Sequence, residues 1–481
     1  MSVRLAMSLL SASALSACNL APSYVRPAGA VPATLPQGGA YGVATPGAPA
    51  ADAIGWRAFF VDPALRDTIA LALDNNRDLR LATANVLQAR AQYRVQRADQ
   101  LPGVAADASA TLTNNAFAAA GGGAGGVGGG VVGGAGGGGT IEIYRANIGV
   151  SAFEVDLFGR VRNLTRSALE TYFATEEAQR AARITLIGEV ASAYVTMAAD
   201  QDQLRIARDT LRSFEESLRL TAAQFRVGVA SELEQRQADT SYQTARNDIA
   251  ALTARVAQDQ NALNLLVGTT VPAALLPAGL GMRALTIAEL PADVSSAVLL
   301  RRPDVLEAER RLRARNADIG AARAAMFPTI SLTATLGTLS TALSGLFGAG
   351  SDVWTVSPSA TLPLFDAGRR RGNVEASEAQ RLAAVATYER TLQVAFREVA
   401  DALAQRGTIG EQLSAREARA NSATIAARLS DARYRAGVDS FLVSLDAQRT
   451  AYGAQQELVT ARALRASNIV ALYRSLGGGL N

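Results

Sequence analysis

The sequence repeats its own plan, and this duplication limits the fold more than any other feature. Residues 75–102 align with residues 301–328 at an offset of 226, and Leu157-Phe158 aligns with Leu364-Phe365 at an offset of 207. A third pair, QFRVGVASELEQRQAD (224–239) and RYRAGVDSFLVSLDAQ (433–448), aligns at an offset of 209. We therefore expect two halves built on one plan.

A glycine tract accounts for the largest difference between the halves. The offset falls from 226 to 207 because the first half carries 19 extra residues, and residues 121–139 (GGGAGGVGGGVVGGAGGGG) supply them. The tract contains GxGxxG-like strings, but it lacks the preceding strand and the following helix with an acidic partner that a dinucleotide site requires. We predict a flexible loop between two strands over 119–139.

Short segments in each half alternate strictly between apolar and polar residues. In PTISLTATLG (328–337), the apolar residues from Ile330 to Leu336 alternate with Thr and Ser. The same period of two recurs in 104–112, 144–152 and 354–362. This pattern predicts four strands of about ten residues, arranged as two hairpins.

Long stretches without proline lie between these strands. Residues 160–227, 231–266, 369–436 and 440–475 are predicted to be helices that pack side by side as coiled coils. A further helical pattern begins at Asp62-Pro63, where Asp can cap the helix and Pro can occupy its first position. It continues without an evident break to Leu101-Pro102, which ends it.

Composition argues against several classes of function. The 481 residues include 47 basic and 43 acidic ones, interspersed along the chain, so the net charge of +4 gives little reason to expect nucleic-acid binding. The chain has no His and a single Cys, which removes the commonest general base and metal ligand and excludes an intrachain disulfide. We expect neither enzymatic activity nor a cofactor or metal.

The single cysteine follows a short apolar segment at the start of the chain. The stretch MSVRLAMSLLSASALSAC resembles a bacterial lipobox, which predicts a signal peptide over 1–17 and acylation of Cys18. The alternative is an ordinary buried or free thiol. From Pro22 to Pro49 the chain carries six prolines, so 18–62 is predicted to be an extended tether. Asn19 after the cysteine resembles the signal for sorting to an outer membrane.

A membrane location restricts the part of the chain that could span the bilayer. No segment after Cys18 has the roughly 18 or more uncharged apolar residues of a membrane helix, so a spanning part would have to be β. Two-faced strands of about ten residues match a barrel wall, although an ordinary sandwich strand has the same period. Because the smallest membrane barrels have about eight strands, four strands would require several copies. The pattern leaves two, three and four copies open.

Several motifs, taken in chain order, resemble the TolC-like outer-membrane factor family. Within it, the lipobox resembles the lipoprotein (NodT-type) branch that serves RND multidrug efflux pumps. The resemblance implies a mainly α chain with a β-barrel part: a homotrimer whose 12-stranded barrel lies in the outer membrane above a long periplasmic α-barrel. It also implies docking on a periplasmic adaptor (membrane fusion) protein and an inner-membrane RND pump. The motifs are EVDLFGR (154–160), LRRPD (300–304), FPTISL (327–332), LFDAGR (364–369) and LDAQR (445–449).

The duplication and the resemblance together divide the chain. The first outer-membrane efflux repeat is predicted over 63–270 and the second over 296–476. Residues 271–295 form a connector between them, and 477–481 a C-terminal tail.

The resemblance also nominates functional residues. Two turns, where antiparallel helices reverse, correspond to a periplasmic tip that contacts the adaptor, although capping alone would explain their Gly and Ser residues. Three residues of the last helix correspond to the constriction that keeps the resting tunnel shut, with a solvated helix face as the alternative. The tip residues are Gly228, Val229, Ser231, Gly437, Val438 and Ser440, and the constriction residues are Leu442, Asp446 and Arg449.

The function expected from the sequence is that of a passive outer-membrane exit channel for drugs or other small molecules. A channel for type I protein secretion is an alternative within the same architecture. A surface coiled-coil lipoprotein with a structural role is an alternative of another class, but it leaves the four amphipathic strands unexplained.

Overall fold

The computed structural model describes residues 19–41, 54–114, 140–281, 285–286 and 295–478. Most of these residues are helical, and four strands form one antiparallel sheet, as predicted. The helices are α1 (Trp56–Phe59), α2 (Pro63–Asn75), α3 (Arg77–Ala98), α4 (Arg160–Arg226), α5 (Glu232–Val267), α6 (Pro303–Ala324), α7 (Arg369–Arg435) and α8 (Phe441–Ser475). The strands are β1 (Val104–Thr113), β2 (Ile141–Glu154), β3 (Thr329–Ser340) and β4 (Asp352–Thr361).

The four strands follow one another across the sheet in the order β1-β2-β3-β4. Each pair is antiparallel, and the β1·β2 and β3·β4 pairs keep one register throughout. The β2·β3 pair shifts register between Val150 and Phe153, where Ala152 adopts a φ of 51°. Such a bulge inserts an extra residue and turns the following side chains to the other face of the strand.

In the first part of β4, the apolar row is more exposed than the polar row. Along β4, Trp354, Val356 and Ala360 are exposed, whereas Thr355 and Ser357 between them are half-buried. Trp354 is 73% exposed and Leu336 on β3 is 60% exposed. A sheet in a water-soluble sandwich buries its apolar row and exposes its polar row, whereas β4 exposes its apolar row here. The arrangement suits a sheet whose outer surface contacts lipid.

Two glycines allow β2 and β3 to approach closely. A Cβ atom at Gly337 would lie 2.2 Å from the backbone oxygen of Ala146, and one at Gly149 would lie 2.3 Å from that of Ala334. Any larger residue would force the two strands apart at these positions.

The first predicted helix is divided in two by Asn76. The cap of α2 is Asp62, whose carboxylate accepts a hydrogen bond from the Leu65 amide at 2.9 Å. At Asn76 the backbone leaves the helical region, and the side-chain oxygen accepts from the Leu79 amide at 2.8 Å to cap α3. The Asn76 amide group also donates to the Leu266 carbonyl at 2.7 Å. This tertiary contact explains a break that periodicity did not predict.

The described chain divides into two compact units. One comprises Met1–Arg26, Leu87–Ala174 and Glu309–Thr387, and contains the sheet. The other comprises Pro27–Val86, Thr175–Ala308 and Tyr388–Asn481, and contains the main hydrophobic core.

The core of the second unit contains the end of the predicted tether. Trp56, Phe59 and Phe60 are fully buried, and the Phe59 ring stacks on Tyr473 with centroids 3.8 Å apart. The Tyr473 hydroxyl donates to the Ile54 carbonyl at 2.6 Å. The structure therefore differs from the sequence prediction here: the tether region ends in packed aromatic residues, because three large apolar side chains are more stable in a core than in water.

Arg302 of the LRRPD motif has a structural role in the same unit. Its buried guanidinium group donates to Asp304 at 2.7 Å, to Glu398 at 2.8 Å and to the Ser475 carbonyl at 2.6 Å. A buried charge needs this degree of pairing. Arg302 thereby links the start of α6 to α7 and to the end of α8.

The segment that follows the predicted lipid site is fixed on α6 in the first unit. Glu309 is 3% exposed and accepts from Arg26 at 2.7 Å and from the Tyr24 hydroxyl at 3.1 Å. The Asn316 side chain donates to the Pro22 carbonyl at 2.7 Å. These bonds hold residues 22–26 in an extended path along the helix.

Candidate functional site

The first helix reversal connects α4 to α5 through a left-handed glycine. Gly228 has a φ of 78° and donates to the Phe225 carbonyl at 3.0 Å, while Val229 donates to the Gln224 carbonyl at 2.9 Å. This pair of bonds is a Schellman motif, which satisfies the last carbonyl groups of a helix. Glycine adopts the required φ at little steric cost.

Ser231 begins α5 with a capping box. Its hydroxyl accepts from the Glu234 amide at 3.3 Å, and its own amide donates to the Glu234 carboxylate at 2.8 Å. Two amide groups at the start of the helix are thus satisfied, and the carboxylate lies at the positive end of the helix dipole.

The second helix reversal connects α7 to α8 and differs from the first in its side-chain interactions. Gly437 has a φ of 75°, and it and Val438 form the same Schellman bonds. Ser440 makes no side-chain cap hydrogen bond. Instead, Arg433 binds both carboxylate oxygens of Asp439, at 2.6 and 2.9 Å. The hydrogen bond from Arg433 lowers the pKa of Asp439 below its usual value.

Side chains join the two reversals to each other. The Tyr434 hydroxyl donates to Gln224 at 2.7 Å, and Arg435 binds Glu216 at 2.9 Å. Burial raises the pKa of the Tyr434 hydroxyl, so it stays protonated as a donor near neutral pH. The alignment of the two halves did not predict these contacts. It shows which residues are equivalent, whereas each of these bonds joins two residues that are not equivalent and that come from different halves. We call residues 226–231 and 435–440 the two tips.

The tips expose apolar side chains. Val227, Val229 and Val438 are all more than half exposed, as is Leu233 in the first turn of α5. Grouped apolar residues of this kind are typical of surfaces that bind another protein.

The start of α8 has two distinct faces. Phe441 and Leu445 are buried with Phe214, Ala238 and Ala245 of α4 and α5. Leu442 and Asp446 lie on the exposed side of the same helix turns. The structure therefore brings these two predicted residues together on one accessible face just after the second tip.

Arg449 lies one turn further along α8, but it is held by α5. Its guanidinium group donates to the Ser241 hydroxyl at 2.8 and 3.0 Å and to the Gln237 carbonyl at 3.5 Å. The Tyr452 hydroxyl donates to Asp248 of α5 at 2.9 Å. Arg449 thus ties α8 to α5 within the chain and is not paired with Asp446.

Three predicted features lie outside the described residues: the signal peptide over 1–17, Cys18 and the loop over 119–139. In the part of the chain that the structure describes, no group of three or more Asp, Glu, Cys or His side chains is placed to hold a metal ion. The described residues include no helix that is both long and apolar enough to cross a membrane.

The chain matches known proteins over nearly its whole length. The family model for outer membrane efflux proteins matches residues 68–269 and 294–478. The probable efflux pump outer membrane protein TtgC of Pseudomonas putida is 44% identical over 465 residues, covering 97% of this chain and 93% of that protein. The outer membrane protein OprJ of Pseudomonas aeruginosa is 42% identical over 471 residues, covering 98% of this chain and 95% of OprJ.

The fold is similar to that of solved outer-membrane channels. The crystal structure of the open state of the Neisseria gonorrhoeae MtrE outer membrane channel superposes with a TM-score of 0.85 at 34% identity, covering 96% of this chain and 99% of MtrE. The sheet with exposed apolar side chains and the paired helical hairpins are the architecture of an outer-membrane channel. The chain belongs to the outer membrane efflux protein family, and it acts as an exit channel in the outer membrane.

The two tips allow a matched test of capping. Ser231→Ala removes a cap hydrogen bond, which usually stabilises a helix by about 1 kcal/mol. We expect amide exchange in the first turn of α5 to become about fivefold faster, because opening of that turn becomes easier by the same free energy. Ser440→Ala should leave the first turn of α8 unchanged. Hydrogen exchange with mass spectrometry measures both, and equal effects at the two serines would contradict the assignment.

Proposed function

We propose that the protein is the passive exit duct of a tripartite efflux pump, and that it works without catalysis of its own. The observation that carries the proposal is the set of exposed apolar side chains on one face of the sheet, such as Leu336, Trp354 and Val356, with Thr and Ser side chains on the other face. Lipid favours the first surface and a water-filled lumen the second. Relatives carry the names antibiotic, toluene and solvent efflux pump outer membrane protein, which supports drugs and other small apolar molecules as cargo.

The assembly that we propose is a homotrimer. One chain contributes four strands, whereas the smallest closed membrane barrels have about eight. Three copies give the 12-stranded outer-membrane barrel implied by the family resemblance, and the long helices of the three copies then enclose a periplasmic tunnel. An inner-membrane RND pump supplies the energy and a periplasmic adaptor connects the two.

The constriction of this tunnel is assigned to the start of α8. Leu442 and Asp446 share an exposed face, so three copies around an axis would form an apolar ring beside a carboxylate ring. A ring of carboxylates favours cations over anions. Arg449 supports the ring indirectly, since its bonds to Ser241 and Gln237 fix α8 on α5.

Current through the purified protein in a planar lipid bilayer tests both the duct and its constriction. The unmodified protein should conduct, and Asp446→Ala should raise its conductance and reduce its preference for cations, because the narrowest ring loses charge and bulk. Glu411→Ala removes an exposed carboxylate from α7 and serves as the control that should leave both values unchanged. Absence of current in both the unmodified protein and Asp446→Ala would refute the duct, whereas equal currents in the two would refute only the constriction.

The tips are assigned to adaptor binding. Gly228 and Gly437 set the turns, Ser231 and Ser440 begin the next helices, and Val229 and Val438 present exposed apolar side chains. The bonds of Tyr434 and Arg435 keep the two tips together as one surface. An adaptor with an apolar contact surface would bury these valines.

Charged tips should uncouple the channel from its pump. In cells, the double variant Val229→Asp and Val438→Asp should lower drug resistance to that of a strain without the protein, since carboxylates in the contact oppose burial of the valines. Its conductance in lipid should remain normal. Val25→Asp, at a valine that is equally exposed, provides the control. Unchanged resistance and adaptor co-purification in the double variant would argue against this surface.

Cys18 is assigned as the acylated first residue of the mature chain. The supporting observation is the fixed path of residues 22–26 along α6, which begins four residues after the cysteine. A lipid at Cys18 and the barrel would then both hold the protein in the outer membrane.

Labelling of cells with radioactive palmitate tests this anchor. The protein should incorporate label and have the mass of a chain that begins at residue 18. Because the sequence contains no other cysteine, Cys18→Ser should abolish incorporation of labelled palmitate and leave the signal peptide uncleaved by the lipoprotein peptidase. Labelling that persists in Cys18→Ser would contradict the assignment.

A further inference from the structure

The four strands of the sheet carry one basic side chain, that of Arg145 on β2. Their other charged residues are acidic, namely Asp107, Glu142, Glu154 and Asp352. Charged side chains are costly inside a membrane, and those that occur there usually face a water-filled path and act on what passes through it. The position of Arg145 on the sheet therefore decides which solutes its charge can reach.

Arg145 lies on the face of the sheet that carries the Thr and Ser rows. It pairs with Ser109 of β1 and with Leu339 of β3. Paired residues share a face of the sheet, as do residues two apart on one strand. Thr335 therefore lies on the same face as Arg145, whereas Leu336, which is 60% exposed, lies on the other. In the proposed duct, Arg145 points into the lumen.

Along β2, Arg145 lies near the external end of the sheet. Its partner Leu339 is the second-last residue of β3, beside the connection to β4. The opposite ends of the strands adjoin α3, α4, α6 and α7, which lie in the periplasm in the proposed duct. Neither strand connection, 114–140 or 341–351, contains a charged residue in its sequence. Arg145 is thus the outermost charge on the lumen face of the four strands.

Two carboxylates at the same end lie on the other face of the sheet. Even-numbered residues pair with even-numbered ones here, so Glu142 and Asp352 share the face of Leu336. On that face, the Tyr144 hydroxyl donates to Glu142 at 2.9 Å. The sheet therefore separates both carboxylates from the lumen, and they do not neutralise Arg145.

One nitrogen of the Arg145 guanidinium group has no acceptor. The Nε atom is buried and lacks a hydrogen-bond partner among the described residues. Leu339 and Ile143 share its face, and neither side chain can accept a hydrogen bond. Because a buried donor without a partner is destabilising, an acceptor from outside the chain would stabilise this group. An anion supplies a strong acceptor, and an apolar group on the anion could also contact Leu339 and Ile143.

Asp107 is the nearest carboxylate on the lumen face. It lies two residues deeper on β1 than Ser109, the partner of Arg145, which is about 7 Å along the strand. Asp107 and Arg145 form no ion pair with each other in the part of the chain that the structure describes. At the helical end of β2, Glu154 is already bound by Arg160, whose Nε donates to it at 2.8 Å. A solute at the external mouth therefore meets the charge of Arg145 before any other charge on the lumen face of the strands.

We propose that Arg145 is a specificity-determining residue of the exit channel. Three copies place three guanidinium groups, bordered by Ile143 and Leu339, as a cationic belt at the external end of the lumen. The belt binds anions that carry an apolar group and opposes the passage of cations, whereas the ring assigned to Asp446 favours cations. The inference rests on the duct and the homotrimer proposed above, and it adds a second charge-selecting site of opposite sign.

Ion selectivity in a planar bilayer tests the belt. The reversal potential in a potassium chloride gradient gives the permeability ratio of K⁺ to Cl⁻. Arg145→Gln should raise this ratio about twofold at low salt, where charges are least screened, and Arg145→Lys should keep it near the unmodified value. Glu142→Gln removes a charge near the same end of the sheet but on the opposite face, so this control should leave the ratio unchanged.

Block by an organic anion is a second measurement that the unmodified protein alone can provide. Naphthalene-1-sulfonate combines a negative charge with an apolar ring system and should block the current of the unmodified protein. Arg145→Gln should require about tenfold more of it for the same block, because a charge-assisted hydrogen bond is lost.

The outcomes separate the belt from the duct. An unmodified protein that conducts but is not blocked by naphthalene-1-sulfonate would overturn the belt, as would equal permeability ratios and equal block in Arg145→Gln and the unmodified protein. A change in Glu142→Gln as large as that in Arg145→Gln would overturn the assignment of Arg145 to the lumen face. Absence of current in the unmodified protein and in every variant would instead count against the duct.

Discussion

The polarity of the four-stranded sheet is the constraint on which the rest of the structure depends. One face carries exposed apolar side chains such as Leu336 and Trp354 and the other carries Thr and Ser, whereas a sheet that folds in water buries its apolar face. Such a surface is stable only against lipid, and lipid tolerates no open sheet edge. The sheet therefore accords with the outer-membrane location and with the association of several copies that we propose. The long helices, whose exposed faces carry many Arg, Glu and Gln side chains, belong in water.

Equivalent turns and strands of the two halves are stabilised by different residues. Both helix reversals use a left-handed glycine and a Schellman motif, but the first is completed by the capping box of Ser231 and the second by the Arg433–Asp439 ion pair. In the sheet, β2 contains a bulge where β4 contains Pro358. These differences matter because the two halves have different neighbours: β2 lies between two strands of its own chain, whereas the outer side of β4 is an edge.

Polar side chains hold the helices in register beside the apolar packing. The buried guanidinium group of Arg302 connects three helices, and Arg449 ties α8 to α5 close to the exposed pair Leu442 and Asp446. Each of these arginines donates hydrogen bonds to residues of neighbouring helices. Because hydrogen bonds have a preferred direction, they position the helices more specifically than apolar contacts between alanine side chains could. Arg449 lies on the same stripe of α8 as Leu442 and Asp446, so its bonds to α5 hold the helix beside the face assigned to the constriction.

The sequence by itself determined the duplicated plan, the four strands, the long helices and the two reversals, because period, proline positions and glycine turns are local properties. It also placed Leu442 and Asp446 on one face, since residues four apart on a helix must share one. Only the tertiary structure decided that the helix from Pro63 breaks at Asn76, that the aromatic residues between 56 and 60 are core and that Arg449 binds Ser241. These features depend on contacts between residues far apart in the chain. The exposure of apolar side chains such as Trp354 was also visible only in the structure. An alternating pattern defines two faces of a strand but does not say which face is exposed.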